Sequence, residues 1–176
     1  GCTIAGLWKG LKDLYAIGFI DRLPRLISAQ AAGCCPLNRA IESGMPWEPM
    51  EENTLADSIA VGVPRNAEKA LMAIRESGGL TVNVTDEEIM AAQQLLGRTC
   101  GVFGEPAGVT GTAGVKKLCE AGKIGRDDSV VSVVTGNGLK DVANAIAACG
   151  DPITIPSDMN RLLAAFAGKG IGAEGV

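Results

Sequence analysis

The chain has 176 residues with 20 acidic against 16 basic side chains, a formal net charge of −4, and no block of Lys or Arg, which argues against nucleic acid or an anionic membrane surface as a partner. Hydrophobic residues make up 47% and aromatic residues only 3%, so the core must be built from Ala, Val, Ile and Leu with glycine at close contacts, a balance that suits a single α/β domain over residues 1–176. With no histidine at all, Ser-His and Cys-His nucleophile pairs are removed, and six cysteines without any C-x-x-C spacing read as free thiols in a reducing compartment rather than as metal ligands or a disulfide framework.

Gly1-Cys2-Thr3 reads as the tail of a loop leading into a helix, with Ile4, Leu7, Trp8, Leu11, Leu14 and Tyr15 at i, i+3, i+4, i+7 spacing and Gly18 closing it. Two roles are open for that start. Thr3 is a plain cap, or the free backbone N–H groups and the positive end of the helix dipole hold a phosphate. Pro24 to Gln30 predicts a buried strand centred on Leu26 and Ile27, Leu37 to Ser43 a short helix before Gly44, and Met45 to Asn53 an irregular excursion interrupted by Pro46 and Pro49. Pro64 to Ser77 predicts a helix with Ala67, Ala70, Leu71 and Ile74 inward, ended by Gly78-Gly79, and Leu80 to Val84 alternates as a half-buried strand. Thr85 and Glu88 have capping-box spacing at the start of the next helix, where Asp86, Glu87 and Glu88 complement the dipole without any metal ion.

Pro106 starts a helix carrying Gly108, Gly111 and Gly114, three glycines whose cost inside a helix implies close approach of another backbone or of a ligand. Glu105 just before it is a helix-start carboxylate or a buried group near a ligand. Val130, Val131, Val133 and Val134 form a β-branched run that predicts a central strand buried on both faces. Thr135 ends it, Gly136 and Gly138 make a turn, and Leu139 to Cys149 predicts a helix with Leu139, Val142 and Ile146 inward. Ligands of parallel α/β sheets sit beyond the carboxyl ends of strands, which places the Thr135 hydroxyl at a binding position, unless it only caps the helix behind it. Pro152 to Ile155 predicts a last strand, Ser157 or Asp158 a cap, and a final helix has Met159, Leu162, Leu163 and Phe166 inward before a glycine-rich end. Alternating strands and helices give an α/β fold with a mainly parallel open sheet flanked by helices. No apolar run reaches the length of a membrane span, and a soluble, cytoplasmic protein is expected.

The string TGNGLKD, Thr135 to Asp141, closely resembles a motif of threonine synthases, which belong to the fold-type II pyridoxal-phosphate enzymes with the large domain of the tryptophan synthase beta subunit type. The resemblance implies that Thr135 hydrogen-bonds the ring nitrogen of the cofactor, a neutral partner in place of the Asp used by other pyridoxal-phosphate enzymes. GCTIAGLWKGLKDL is similar to the back half of the family's cofactor-phosphate loop and the helix after it, so that Gly1, Cys2 and Thr3 become cofactor-binding positions, with Cys2 and Thr3 departing from the commonest Gly and Asn. Thr54, Ala56, Ile59, Gly62 and Pro64 match a further family segment, which makes Thr54 a candidate site residue.

What the resemblance implies is part of an enzyme converting O-phosphohomoserine and water to threonine and phosphate, acting as a homodimer. On this reading the chain begins inside the phosphate loop, and the lysine that binds the cofactor covalently lies in an amino-terminal part absent from the sequence. No catalytic residue is then expected among Lys9, Lys12 and Lys140, each read as a solvated helix residue, and the chain alone is expected to be inactive. Other reactions on the same scaffold stay open, namely threonine or serine dehydration and cysteate formation from phosphoserine. So does a catalytically dead paralogue or a plain nucleotide-binding domain, although neither G-x-G-x-x-G nor G-x-x-x-x-G-K-[ST] occurs.

Overall fold

A computed structural model describes residues 1–150, 154–155 and 157–168. Helix α1 (Cys2–Ala16) is followed by strand β1 (Ile27–Ala31), helix α2 (Pro36–Ser43), a 3₁₀ turn (Asp57–Ile59), helix α3 (Ala67–Glu76) and strand β2 (Leu80–Val84). Helices α4 (Asp86–Cys100) and α5 (Pro106–Glu120), a second 3₁₀ turn (Gly138–Lys140), α6 (Val142–Cys149) and α7 (Met159–Gly168) complete the order. β1 and β2 pair in parallel, Ile27 opposite Leu80 through Ala31 opposite Val84, with α2 and α3 in the crossover. The fold is therefore α/β with a parallel sheet and flanking helices, as expected.

Two apolar clusters hold it together. One joins the sheet to α4 and α5 through Val82, Val84, Ile89, Ala92, Val109 and Ala113. In this cluster Gly114 permits the close approach its spacing implied, because a Cβ there would stand 2.8 Å from Val82 Cγ1 and 2.9 Å from Ala29 Cβ. The other cluster packs α2 on α3 through Leu37, Ala40, Ala67, Ala70 and Leu71, with Ile4 of α1 laid against it.

Local chemistry sets the helix ends. Thr85 Oγ1 accepts the Glu88 N–H while Glu88 accepts the Thr85 N–H, so the capping box forms in full. Gly44 ends α2 in the left-handed region, φ 69°. Two boundaries move relative to the sequence reading, and one apolar stripe is only partly buried. The first strand runs from Ile27 to Ala31, not from Pro24, because Pro24 lacks a donor for the ladder. α3 starts at Ala67 after an Asn66 cap, not at Pro64, and on α1 the full apolar stripe is not buried: Trp8 is inside, but Leu7 and Tyr15 are 42% and 50% exposed.

The larger departures lie after α5. Val130 to Val134 is not a strand, and Val131 is 86% exposed. Composition alone made it strand-like. β1 and β2 pair only with one another, and the run has no sheet neighbour among the described residues, so it extends over α5 with only Val134 packed on the first cluster. Leu139, Val142 and Ile146 also face outward, since Asp141 caps a new helix at Val142 and turns Ala145 and Ala148 inward instead. Met159, Leu163 and Phe166 of α7 are exposed rather than inward. The strand expected at Pro152 to Ile155 lies partly outside the described residues, and Thr154 and Ile155 are not in a strand; most of the glycine-rich end also lies outside them.

α1 is tied to α3 by one carboxylate. Trp8 Nε1 donates to Glu76 Oε2 at 2.6 Å and Lys12 Nζ reaches the same oxygen at 2.9 Å, its cation 5.8 Å from the Trp8 ring. The indole N–H first, and then Lys12, hold the Glu76 carboxyl below its usual range. A depressed folded pKa gives stability that is present above the unfolded pKa and is lost as pH falls through the folded value. Glu76→Gln is therefore expected to lower the urea midpoint slightly at pH 7, solvent screening keeping the effect small. At pH 3 the gap to wild type narrows; a gap that widens toward acid would contradict the assignment.

Candidate functional site

Gly1 is the N-cap of α1, no side chain caps it, and no acid stands in its first turn; α2 and α5 share these features but begin with proline, whereas α4 has a complete capping box and α6 is capped by Asp141. The first-turn N–H groups of α1 therefore keep their hydrogen-bonding capacity and sit at the positive end of the dipole. Gly1, Cys2 and Thr3 are exposed, and the loop end is pressed on α3: a Cβ on Gly1 would stand 2.9 Å from the Asn66 carbonyl oxygen. Only glycine fits there without a shift.

Thr135 is held by a different part of the molecule. Glu105 N–H donates to the Gly136 carbonyl at 2.9 Å and Gly138 N–H donates to the Phe103 carbonyl at 3.0 Å, so the turn after the valine run lies along residues 103–105. Gly104 bridges Asn137, and Gln93 Nε2 donates to the Gly104 carbonyl at 2.7 Å from behind. A Cβ on Gly108 would stand 2.9 Å from the Gly136 N, and this contact explains a glycine inside α5. The Thr135 residue is exposed, and its hydroxyl makes no hydrogen bond among the described residues. Asn137, not Thr135, caps the following 3₁₀ turn by accepting the Leu139 N–H at 2.9 Å. The cap role is thus filled by another residue. No hydrogen bond joins Thr135 to Gly1, Cys2 or Thr3 among the described residues; the two stretches stand on separate packing units.

Other candidates resolve into structure. Thr54 Oγ1 donates to Asp86 Oδ1 at 2.6 Å and Leu55 N–H to Asp86 Oδ2 at 2.9 Å, so Thr54 pins its loop to α4. Asn144 Nδ2 donates to the Leu55 carbonyl at 3.3 Å, which brings that loop to the helix behind the Thr135 turn. Lys140 is largely exposed, in line with its reading as solvated, and its amine also reaches the buried Glu105 carboxylate at 3.1 Å. Lys9 pairs with Asp13 and Lys12 with Glu76, so each is engaged in an ion pair. Burial pushes the Cys34 thiol above its usual range, which suits an inert core residue. No group of three or more metal-ligating side chains occurs among the described residues.

Two grooves open elsewhere. One of about 210 Å³ lies between α4 and α5, where Lys117 meets Glu88 and Lys116 meets Glu120; the other, about 320 Å³, is bordered by Trp47, Glu68 and Arg75. Neither is bordered by Gly1 to Thr3 or by Thr135. The chemistry of the candidate site rests on the uncapped helix start and on the Thr135 hydroxyl.

Comparison with known proteins gives the class. The family described as pyridoxal-phosphate dependent enzyme matches residues 1–136, and the chain belongs to it. Within it, the chain is similar to the threonine synthases of Methanosarcina acetivorans (44% identity, 95% of this chain and 42% of that protein) and Methanocaldococcus jannaschii (46%, 91% and 40%). The threonine synthase of Mycobacterium tuberculosis is 38% identical over 89% of this chain and 42% of its own length. The chain thus spans about two fifths of the curated relatives it matches. The structure of maize serine racemase superposes with a TM-score of 0.56 at 17% identity, covering 94% of this chain and 43% of that one, which establishes likeness of fold.

Pyridoxal phosphate is the cofactor of this family. The residues present suit it: α1 offers uncapped N–H groups free of acids for a phosphate, and Thr135 offers an unbonded, uncharged hydroxyl for a ring nitrogen.

Proposed function

We propose that the chain is the part of a threonine synthase that holds pyridoxal phosphate at both ends, in an enzyme that converts O-phosphohomoserine and water to threonine and phosphate, the last step of threonine biosynthesis. The backbone N–H groups of Gly1, Cys2 and Thr3 receive the cofactor phosphate at the positive end of α1. The Thr135 hydroxyl donates to the unprotonated ring nitrogen and, being uncharged, does not draw a proton onto it. Bound there, pyridoxal phosphate supplies the electron sink that the substrate carbons need.

We assign proton transfer at those carbons to no lysine of this chain, in which Lys9, Lys12, Lys116, Lys117 and Lys140 are engaged with carboxylates. The complete enzyme is taken to be a cytoplasmic homodimer. The observation that carries the reading is the similarity to threonine synthases, 37–46% identical across 86–95% of the chain.

The test is phosphate release. The complete protein is expected to release phosphate from O-phosphohomoserine at least about tenfold faster than from phosphoserine, and to dehydrate threonine more slowly still; a gap of that size needs about 1.4 kcal/mol of preferential transition-state binding. Residues 1–176 alone are expected to release none. Faster turnover of threonine or phosphoserine would reassign the reaction, and turnover by residues 1–176 would place a catalytic lysine among them.

A further inference from the structure

Glu105 has a buried carboxylate that its place in the helix does not explain. It is the N-cap of α5, yet its side chain accepts no cap hydrogen bond, and it is 5% exposed. Instead Oε1 meets Lys140 Nζ at 3.1 Å, from a lysine that is itself 60% exposed. Between the two lies the turn that carries Thr135. Glu105 N–H holds the Gly136 carbonyl at 2.9 Å, and the carboxylate occupies the space that a Cβ on Gly136 would need, 1.9 Å away. Lys140 stands at the far end of the same turn, one residue before the cap of α6. A charge left in such a place without its partner is costly, so the pair fixes the two ends of the turn relative to one another.

We propose that Glu105 and Lys140 form a clamp across the turn and are positioning residues for the Thr135 hydroxyl. The clamp acts through Thr135 and so rests on the cofactor contact assigned above, though not on the identity of the substrate. Glu105 supplies both a backbone donor and a carboxylate on one side; Lys140 supplies the opposing charge. Without the pair, the turn keeps its two backbone hydrogen bonds and loses the ionic tie that sets where the hydroxyl points.

The experiment is a double-mutant cycle in the complete protein, freed of cofactor and titrated with pyridoxal phosphate while the absorption band of the bound cofactor is followed. Lys140→Met, at an exposed site, and Glu105→Gln, which keeps the side-chain shape, are each expected to weaken cofactor binding about tenfold and to shift the band; Lys140→Arg is expected to return both to within about threefold of wild type. In a Thr135→Val background the same two substitutions are expected to cost nothing further. Equal losses in both backgrounds would mean a merely structural pair and would overturn the clamp. An unchanged affinity in Lys140→Met would overturn it too, even if Glu105→Gln failed to fold. Coupling lost while O-phosphohomoserine still releases phosphate removes the clamp alone. Coupling present without phosphate release supports the clamp and removes the reaction assigned above.

Discussion

Asn38→Leu is expected to lower folding stability by roughly 3–5 kcal/mol, because it strips partners from several buried groups at once. Asn38 is fully buried in α2, at the seam between that helix and the sheet. Its Oδ1 accepts from Ser28 Oγ at 2.7 Å, and its Nδ2 group lies 3.2 Å from the Ser28 carbonyl, 3.1 Å from the Val82 carbonyl and 2.7 Å from Asn83 Oδ1. One amide thereby joins both strands to the crossover. Leucine keeps the branching and the number of side-chain heavy atoms but satisfies none of these polar groups, and each group left buried and unpaired costs about 1–3 kcal/mol. The check is the urea midpoint of the purified protein at pH 7, with the slope of the transition unchanged. A shift worth less than about 1 kcal/mol would mean that water replaces the amide and that the seam does not depend on it.

Much of this was legible in the sequence where the signal is local. The capping box at Thr85 and Glu88, the Gly44 stop and β2 at Leu80 to Val84 all follow from neighbours a few residues apart. Features that depend on distant partners were not legible. The valine run at Val130 to Val134 has strand composition, but a strand is defined by what pairs with it, and that partner is not a local property. Leu139, Val142 and Ile146 share a helical stripe that fails because Asp141 restarts the helix after a 3₁₀ turn. Asn38 gave only a faint sign, a lone amide among the apolar positions of Pro36 to Ile41.

At the candidate site, the Thr135 turn was visible as a glycine motif, but the way it is held was not. Lys140 was read as solvated, and it is exposed, but only the fold places a buried carboxylate from residue 105 opposite it. Likewise, Thr54 was a candidate by motif; in the fold its hydroxyl bonds Asp86. At the start of α1 the sequence left a Thr3 cap open, and the fold instead places Gly1 at the N-cap with no side chain capping it.

Thr135→Asp is expected to reduce turnover of O-phosphohomoserine by the complete holoprotein by roughly tenfold to hundredfold. A carboxylate in place of the neutral hydroxyl draws a proton onto the ring nitrogen through a charge-assisted hydrogen bond worth about 1.5–3 kcal/mol, and each 1.4 kcal/mol of mismatch in the transition state is about a factor of ten in rate. Thr135→Ser keeps an uncharged hydroxyl and is expected to stay within about threefold of wild type, since one neutral hydrogen bond contributes only about 0.5–1.5 kcal/mol and most of it is retained. Steady-state rates on O-phosphohomoserine check both. Equal rates for all three proteins would mean that residue 135 does not touch the reacting system.

The nitrogen-15 resonance of the cofactor ring nitrogen, recorded in the complete protein reconstituted with labelled pyridoxal phosphate, is the most direct measurement. An unprotonated resonance in wild type and Thr135→Ser, moving to the protonated position in Thr135→Asp, is the predicted result; one resonance, unmoved across all three, would contradict the placement of an uncharged hydroxyl against that nitrogen.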